Sequence, residues 1–90
     1  ALMYDIDVPS DAPRELNLIG HTTDEAVTRV DKFLDQAVLS GFQDVRIVHG
    51  MGTGALRKAI DEFLSAHPHV ESFARAPRSE GGDGATIVAL

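Results

Sequence analysis

Three alternating glycines between an apolar strand and an amphipathic helix constrain this chain more than any other feature: His49-Gly50-Met51-Gly52-Thr53-Gly54. The residues before it, Val45, Ile47 and Val48, are β-branched and compact, as a strand requires. Those after it repeat at helical spacing: Leu56, Ala59, Ile60, Phe63 and Leu64. Glycines here allow positive φ and close backbone approach. A helix that begins at such a loop presents unpaired N–H groups and the positive end of its dipole, which together favour an anion such as phosphate. The adjoining histidine is suited to contact that phosphate or to move a proton near neutral pH.

The rest of the pattern builds one α/β unit around this loop. Glu15 to Ile19 predicts a first strand, with Leu16 and Leu18 on one face and Gly20 ending it. Thr22-x-x-Glu25 is a capping-box pattern with either Thr22 or Thr23 as N-cap. The apolar stripe Ala26, Val27, Val30, Phe33, Leu34, Ala37 and Val38 then predicts a helix from about Asp24 to Ser40, stopped by Gly41. Asp44 to Val48 is the second strand. The second helix starts near Gly54 and ends before His67-Pro68, because proline cannot continue it. Val70 to Arg75 predicts a third strand, Pro77 to Gly84 a polar turn, and Ala85 to Leu90 a last strand. The expected fold is a β-α-β-α-β-β two-layer sandwich, a mixed four-stranded sheet with both helices on one face. The strand–helix–strand opening implies a parallel pair with a right-handed crossover.

Residues 1–14, with Pro9, Pro13 and three aspartates, predict a linker or arm in which Tyr4, Ile6 and Val8 alternate; 15–90 is the domain. The chain opens on alanine and stops inside an apparent strand, so it is expected to be cut from the end of a longer protein. No cysteine is present, which excludes disulfides and thiolate metal sites. With no signal peptide or spanning apolar run, a cytoplasmic location without membrane contact is expected. The net charge of −6 argues against a non-specific, high-affinity nucleic-acid binder but leaves room for a local basic patch, and Arg57 and Lys58 follow the loop closely.

In an open α/β sheet, ligands bind beyond the carboxyl ends of the parallel strands. Two such ends exist here, and they bring His21, His49 and the glycine loop to one rim, with Asn17 nearby. The loop is neither a dinucleotide fingerprint nor a P-loop: it is G-x-G-x-G and no Lys-Ser/Thr follows it. An ATP site within the domain is therefore not expected. Thr53 is read as a phosphate contact or a helix cap, Arg57 and Lys58 as phosphate clamps or solvated cations, and Asp83 as a turn residue. His67 and His69 flank Pro68, but no acidic or histidine partner in the sequence completes a metal set; a divalent metal stays open at the rim, though no carboxylate pair there indicates one. The phenylalanines are read as core, with Phe42 and Phe73 at element edges where a base could be met.

The segment Val45 to Lys58 resembles the H-G-x-G-x-G signature of the Smr (small MutS-related) domain. Gly81 to Leu90 is similar to that family's closing glycine turn and strand, and Leu16-Asn-Leu-Ile-Gly20 lies where it has a leucine-Asp-leucine strand motif. The wording is closest to the C-terminal domain of bacterial MutS-related type 2 proteins. The resemblance implies a fold like the C-terminal domain of translation initiation factor 3. It also implies nucleic-acid binding with little sequence readout: nicking endonuclease activity on DNA, including branched or nicked forms, or RNA cleavage in ribosome-linked relatives. The implied parent is a homodimeric recombination, repair or ribosome quality-control protein. ATP and dimerisation belong to other parts of that parent, and the lone domain is expected to be monomeric. On the resemblance, His49 and Asn17 are the candidate catalytic residues, with His21, two residues beyond Ile19, a candidate by proximity to replace the basic group absent there, and Gly50, Met51, Gly52, Thr53, Gly54, Arg57 and Lys58 are the phosphate-binding candidates. The chain departs from the family at two positions: Asn17 stands where aspartate is common, and Ile19 where histidine or arginine often follows. Two readings therefore stay open, a nicking enzyme and a module that binds DNA, RNA or a partner such as the ribosome without cutting.

Overall fold

The computed structural model describes residues 12–90; most of the leader, and with it the Tyr4–Val8 alternation, lies outside the described residues. The elements follow as β1 (Glu15–Asn17), α1 (Thr23–Leu39), β2 (Asp44–Val48), α2 (Ala55–Ala66), β3 (Ser72–Arg75), two 3₁₀ turns (Arg78–Glu80 and Gly82–Gly84) and β4 (Ala85–Ala89). The sheet order is β1-β2-β4-β3. β1 and β2 are parallel, while β4 runs antiparallel to both its neighbours, β2 and β3. This is the expected β-α-β-α-β-β sandwich.

Its core is one layer of side chains between sheet and helices. Ala26, Val30, Phe33, Leu34 and Ala37 form the buried stripe of α1, and Ile60 and Leu64 that of α2. They meet Val45, Ile47 and Val88 from the sheet. Burying each large aliphatic side chain contributes roughly 1.5–3 kcal/mol, so this shared face fixes the register of β2 on β4, where Val45 opposes Val88. Phe42 and Phe73 pack against the core from its margins, and the Arg14 guanidinium lies 4.2 Å above the Phe42 ring. Both rings thus act as core residues. Among the described residues, no helix is long and apolar enough to cross a membrane.

Two strands are shorter than the sequence pattern suggests. β1 stops at Asn17 rather than Ile19, because the Asn17 side-chain oxygen accepts the Ile19 amide at 2.9 Å and the Leu18 carbonyl accepts the His21 amide at 3.0 Å. This side chain-to-backbone turn competes with the ladder and ends it. β3 begins at Ser72 rather than Val70, whose amide is taken by the His67 carbonyl at 3.2 Å. The stretch Pro77 to Gly84 is an ordered pair of 3₁₀ turns.

Candidate functional site

A cleft of about 510 Å³ opens at the carboxyl ends of β1 and β2. One wall is the turn from Ile19 to Thr23; the other is the loop His49–Gly54 with the first turn of α2. The loop's course depends on its glycines at two points. Gly50 has φ 76° and a methyl group built there would come within 3.2 Å of Ile19 Cγ1. Gly54, the N-cap of α2, has φ 85°. Gly52, by contrast, does not adopt a positive φ.

The N-terminus of α2 has no side-chain cap at its N-cap and no acid in its first turn. Thr53 precedes the cap, and its hydroxyl accepts the Ala55 amide at 3.3 Å. The Leu56 and Arg57 amides have no partner among the described residues, so they are free donors at the positive end of the helix dipole. Arg57 folds back over this turn, with its guanidinium 3.3 Å from a methyl group built on Gly54. Lys58 is exposed and lies outside the cleft lining. Amides, dipole and one guanidinium together suit a phosphate group.

The loop is anchored from below. The Gly84 carbonyl accepts both the His49 and the Gly50 amide at 3.0 Å. Gly84 is buried, and a methyl group there would sit 3.4 Å from Met51 Cγ and 3.7 Å from the Gly50 backbone. The closing glycine turn therefore exists to let β4 approach the loop.

His49 is only 4% exposed. Its Nδ1 lies 3.0 Å from the Gly50 carbonyl oxygen and its Nε2 lies 2.8 Å from Thr86 Oγ1. Thr86 Oγ1 also accepts a hydrogen bond of 2.7 Å from Arg75, which in turn is paired through both terminal nitrogens with Asp61. The donor inventory decides the protons. A carbonyl only accepts, so Nδ1 carries hydrogen; in the neutral ring Nε2 is then an acceptor, and the Thr86 hydroxyl, while accepting from Arg75, gives its own proton to Nε2. This is the arrangement in which every proton has a partner, and it fixes the Nδ1–H tautomer. The Asp61 hydrogen bond, reinforced by its charge, raises the Arg75 pKa and keeps the guanidinium a donor, against the opposing effect of burial. Both ring nitrogens of His49 are thus committed within the protein, and the ring closes the strand–loop junction.

His21 differs. It lines the cleft from the other wall, and its Nδ1 is buried without a hydrogen-bond partner among the described residues. Asn17 is not brought into the cleft: it pairs in register with Val48, one residue away from the core-facing Leu16–Ile47 pair, and its side chain holds the Ile19 amide. Aspartate could accept the same hydrogen bond, so the departure at Asn17 preserves this turn. Of the candidates, the structure brings together His21, His49, the loop from Gly50 to Gly54, and Arg57. It adds Gly84, Thr86, Arg75 and Asp61, which sequence reasoning did not single out as site residues. Asp83 lies exposed in the second 3₁₀ turn.

The sequence also suggested no partners for His67, and here the structure differs. Asp31 and Asp35, one turn apart on α1, place carboxylate oxygens so that they and a His67 nitrogen all lie within 4.8 Å of one another. His67 Nδ1 accepts the His69 amide at 3.1 Å, so Nε2 carries the hydrogen that faces Asp31 Oδ1 at 3.5 Å. The group is a helix contact at the far end of α2, roughly 18 Å from the cleft at 1.5 Å per residue.

A profile of the Smr domain family matches residues 16–90. Over 81 residues, 90% of this chain, the sequence is 49% identical to Endonuclease MutS2 of Lactobacillus helveticus, of which the match covers 10%. Over 76 residues it is 54% identical to Endonuclease MutS2 of Symbiobacterium thermophilum, again covering 10% of that protein. The fold is similar to the crystal structure of the Smr domain of Thermus thermophilus MutS2, with a TM-score of 0.83 and 51% identity over 84% of this chain and 95% of that one. It is also similar to YdaL, a stand-alone small MutS-related protein from Escherichia coli, with a TM-score of 0.82 and 30% identity over 86% of this chain and 63% of that one. The chain spans about a tenth of the length of the curated relatives it matches.

Proposed function

The chain belongs to the Smr domain family, and from that premise we propose that its cleft binds the sugar–phosphate backbone of DNA and nicks it by phosphodiester hydrolysis. The observation that carries this reading is the start of α2, where free amides, the helix dipole and Arg57 converge without an acid or a side-chain N-cap. These groups suit both the ground-state phosphate and the extra charge that develops on its oxygens as water attacks. Phosphate contacts carry no base sequence, in keeping with a nuclease of little sequence readout.

In this proposal the two histidines divide the work. His21, which lines the cleft, takes a proton from the attacking water or gives one to the leaving oxygen. His49 holds the loop, because its ring nitrogens are already bonded to Gly50 and Thr86. The test is nicking of supercoiled plasmid at low salt by wild type, His21→Ala, Arg57→Ala and His49→Ala. Removal of a general acid–base group is expected to cost about 10²–10⁴ in rate with the fold intact for His21→Ala. His49→Ala is expected to lower binding and thermal stability together. Nicking by His21→Ala at the wild-type rate would refute the assignment.

A second reading, a module that binds nucleic acid without cutting it, is favoured by the burial of His49 and by the −6 charge of the chain. The same assay separates the two: DNA retained at low salt but never nicked supports the module. Recognition of RNA and docking on the ribosome would draw on the same phosphate contacts.

A further inference from the structure

Four large apolar side chains are exposed among the described residues: Ile19, Val38, Leu39 and Met51. Val38 and Leu39 adjoin at the C-terminal end of α1. Ile19 and Met51, separated by 32 positions in the chain, both line the cleft, one from each wall. Ile19 is 59% exposed and Met51 64%, yet neither is loosely placed. Ile19 packs toward Gly50, and Met51 lies over Gly84. The start of α2 lines the same cleft as these two lips.

Such lips are unsuited to a partner held by charge alone. Arg57 is the lysine or arginine in the cleft lining, and the chain carries −6 overall. A regular duplex offers a surface like this its phosphates and keeps its base faces stacked. A strand with an unstacked base offers both a phosphate and an adjacent apolar face. Isoleucine and methionine are residue types that wedge between bases, and a thioether packs well on an aromatic ring.

We propose that Ile19 and Met51 are specificity-determining residues, an apolar wedge that receives an unstacked base beside the phosphate held at the start of α2. The site thereby selects single-stranded or locally opened DNA over continuous duplex. This rests on the phosphate-binding reading above and adds the base to it.

The test is fluorescence anisotropy at low salt with the 90-residue chain and three probes: a single-stranded DNA oligonucleotide, its blunt duplex, and a strand of equal length with abasic sites along its centre. Wild type is compared with Ile19→Ser/Met51→Ser, whose sites are exposed, and with Arg57→Ala. Circular dichroism melting establishes that each variant is folded. Wild type is expected to bind the normal strand at least tenfold more tightly than the duplex or the abasic strand. The double variant loses that margin, whereas Arg57→Ala weakens all three probes by a similar factor. Equal wild-type affinity for normal and abasic strands, or a double variant that retains the margin, overturns the wedge and leaves phosphate binding standing. Failure of wild type to bind any probe overturns both.

Discussion

Both parallel strands run into a helix through a glycine-containing turn, and the two turns are finished in opposite ways. The turn after β1 completes itself locally. Thr22 Oγ1 accepts the Glu25 amide at 3.2 Å, Glu25 returns the bond to the Thr22 amide at 3.0 Å, and Asp24 and Glu25 place negative charge at the positive end of α1. The turn after β2 leaves its helix without a side-chain cap at Gly54 and without acid, and it is braced from elsewhere, by the Gly84 carbonyl and by the chain His49–Thr86–Arg75–Asp61. The same topology thus yields a closed helix start and an open one. Each start keeps two first-turn amides without a partner among the described residues, Thr23 and Asp24 on α1 and Leu56 and Arg57 on α2. The difference therefore lies in charge: acids repel an anion from the first, while the second has no acid and draws its rigidity from distant residues.

The largest expected effect comes from breaking the distant brace. Thr86→Val keeps the shape and removes the hydroxyl, leaving His49 Nε2 without its donor and Arg75 without one acceptor in a fully buried place. Stability should fall by about 1–3 kcal/mol, the cost of stranding a buried polar group. DNA affinity should fall with it as the loop loosens. Nitrogen NMR of the imidazole should show Nδ1–H with bare Nε2 in wild type and a mixture in the variant. An unchanged ring spectrum would show that Thr86 does not set the tautomer.

The local device is the next target. Thr22→Ala removes the N-cap of α1 and should cost about 1 kcal/mol in chemical denaturation. Its DNA affinity should match wild type, because Asp24 and Glu25 already repel a phosphate from this helix start. A several-fold loss of affinity would mean that both helix starts meet the ligand, and the contrast between the turns would fail.

This contrast also explains what could be read from the sequence. The capping box spans three residues, so Thr22-x-x-Glu25 announces itself, and the structure resolves the choice of N-cap to Thr22. The stripes of α1 and α2, the short β2 and the glycine loop are equally local, and the sandwich and the rim of the cleft follow from them. The brace is not local: His49 and Thr86 are 37 positions apart, and Arg75 reaches 14 positions back to Asp61. Thr86 reads as an ordinary strand residue and Arg75 as a strand-edge cation, since nothing in a strand pattern says which buried hydroxyl a histidine will find. A polar residue on the inward register of a strand was the available signal: Thr86 pairs with Ile47 on the core face. Asn17 misleads for the opposite reason. Its motif position suggests chemistry, while its register places it off the core-facing Leu16–Ile47 pair, where it makes a turn. The acids beside His67 were invisible because two helices bring them together across the fold.

The two turns can also be made alike. Ala55 is exposed at the first position of α2 and lines the cleft. Ala55→Glu gives this helix the first-turn acid that α1 has. The carboxylate should stabilise the dipole by about 0.3–1 kcal/mol and occupy the place proposed for phosphate. Melting temperature should rise while DNA affinity falls several-fold. Because the two readouts move in opposite directions, general damage to the fold cannot imitate the result; unchanged affinity would remove the start of α2 from the binding site.

The smallest effect is a titration that only the closed turn should show. The Thr22 backbone amide, with smaller help from the Thr22 hydroxyl and from His21 and Arg29, holds the Glu25 carboxyl below its ordinary pKa of 4.5, against partial desolvation. A carboxyl depressed in the folded protein binds its proton more readily in the unfolded chain, so stability rises with pH across the interval between the two values. The contribution is complete above the unfolded pKa and is lost as pH falls through the folded one. Glu25→Gln retains an acceptor oxygen but not the charge. Its melting temperature should therefore lie below wild type at neutral pH and converge on it in acid, below the ordinary carboxylate value. A difference that stays constant with pH would show that Glu25 works only as a neutral hydrogen-bond acceptor. The start of α2, with no acid in its first turn, has no equivalent titration unless Ala55→Glu supplies one, and that variant should then acquire its own acid-sensitive increment.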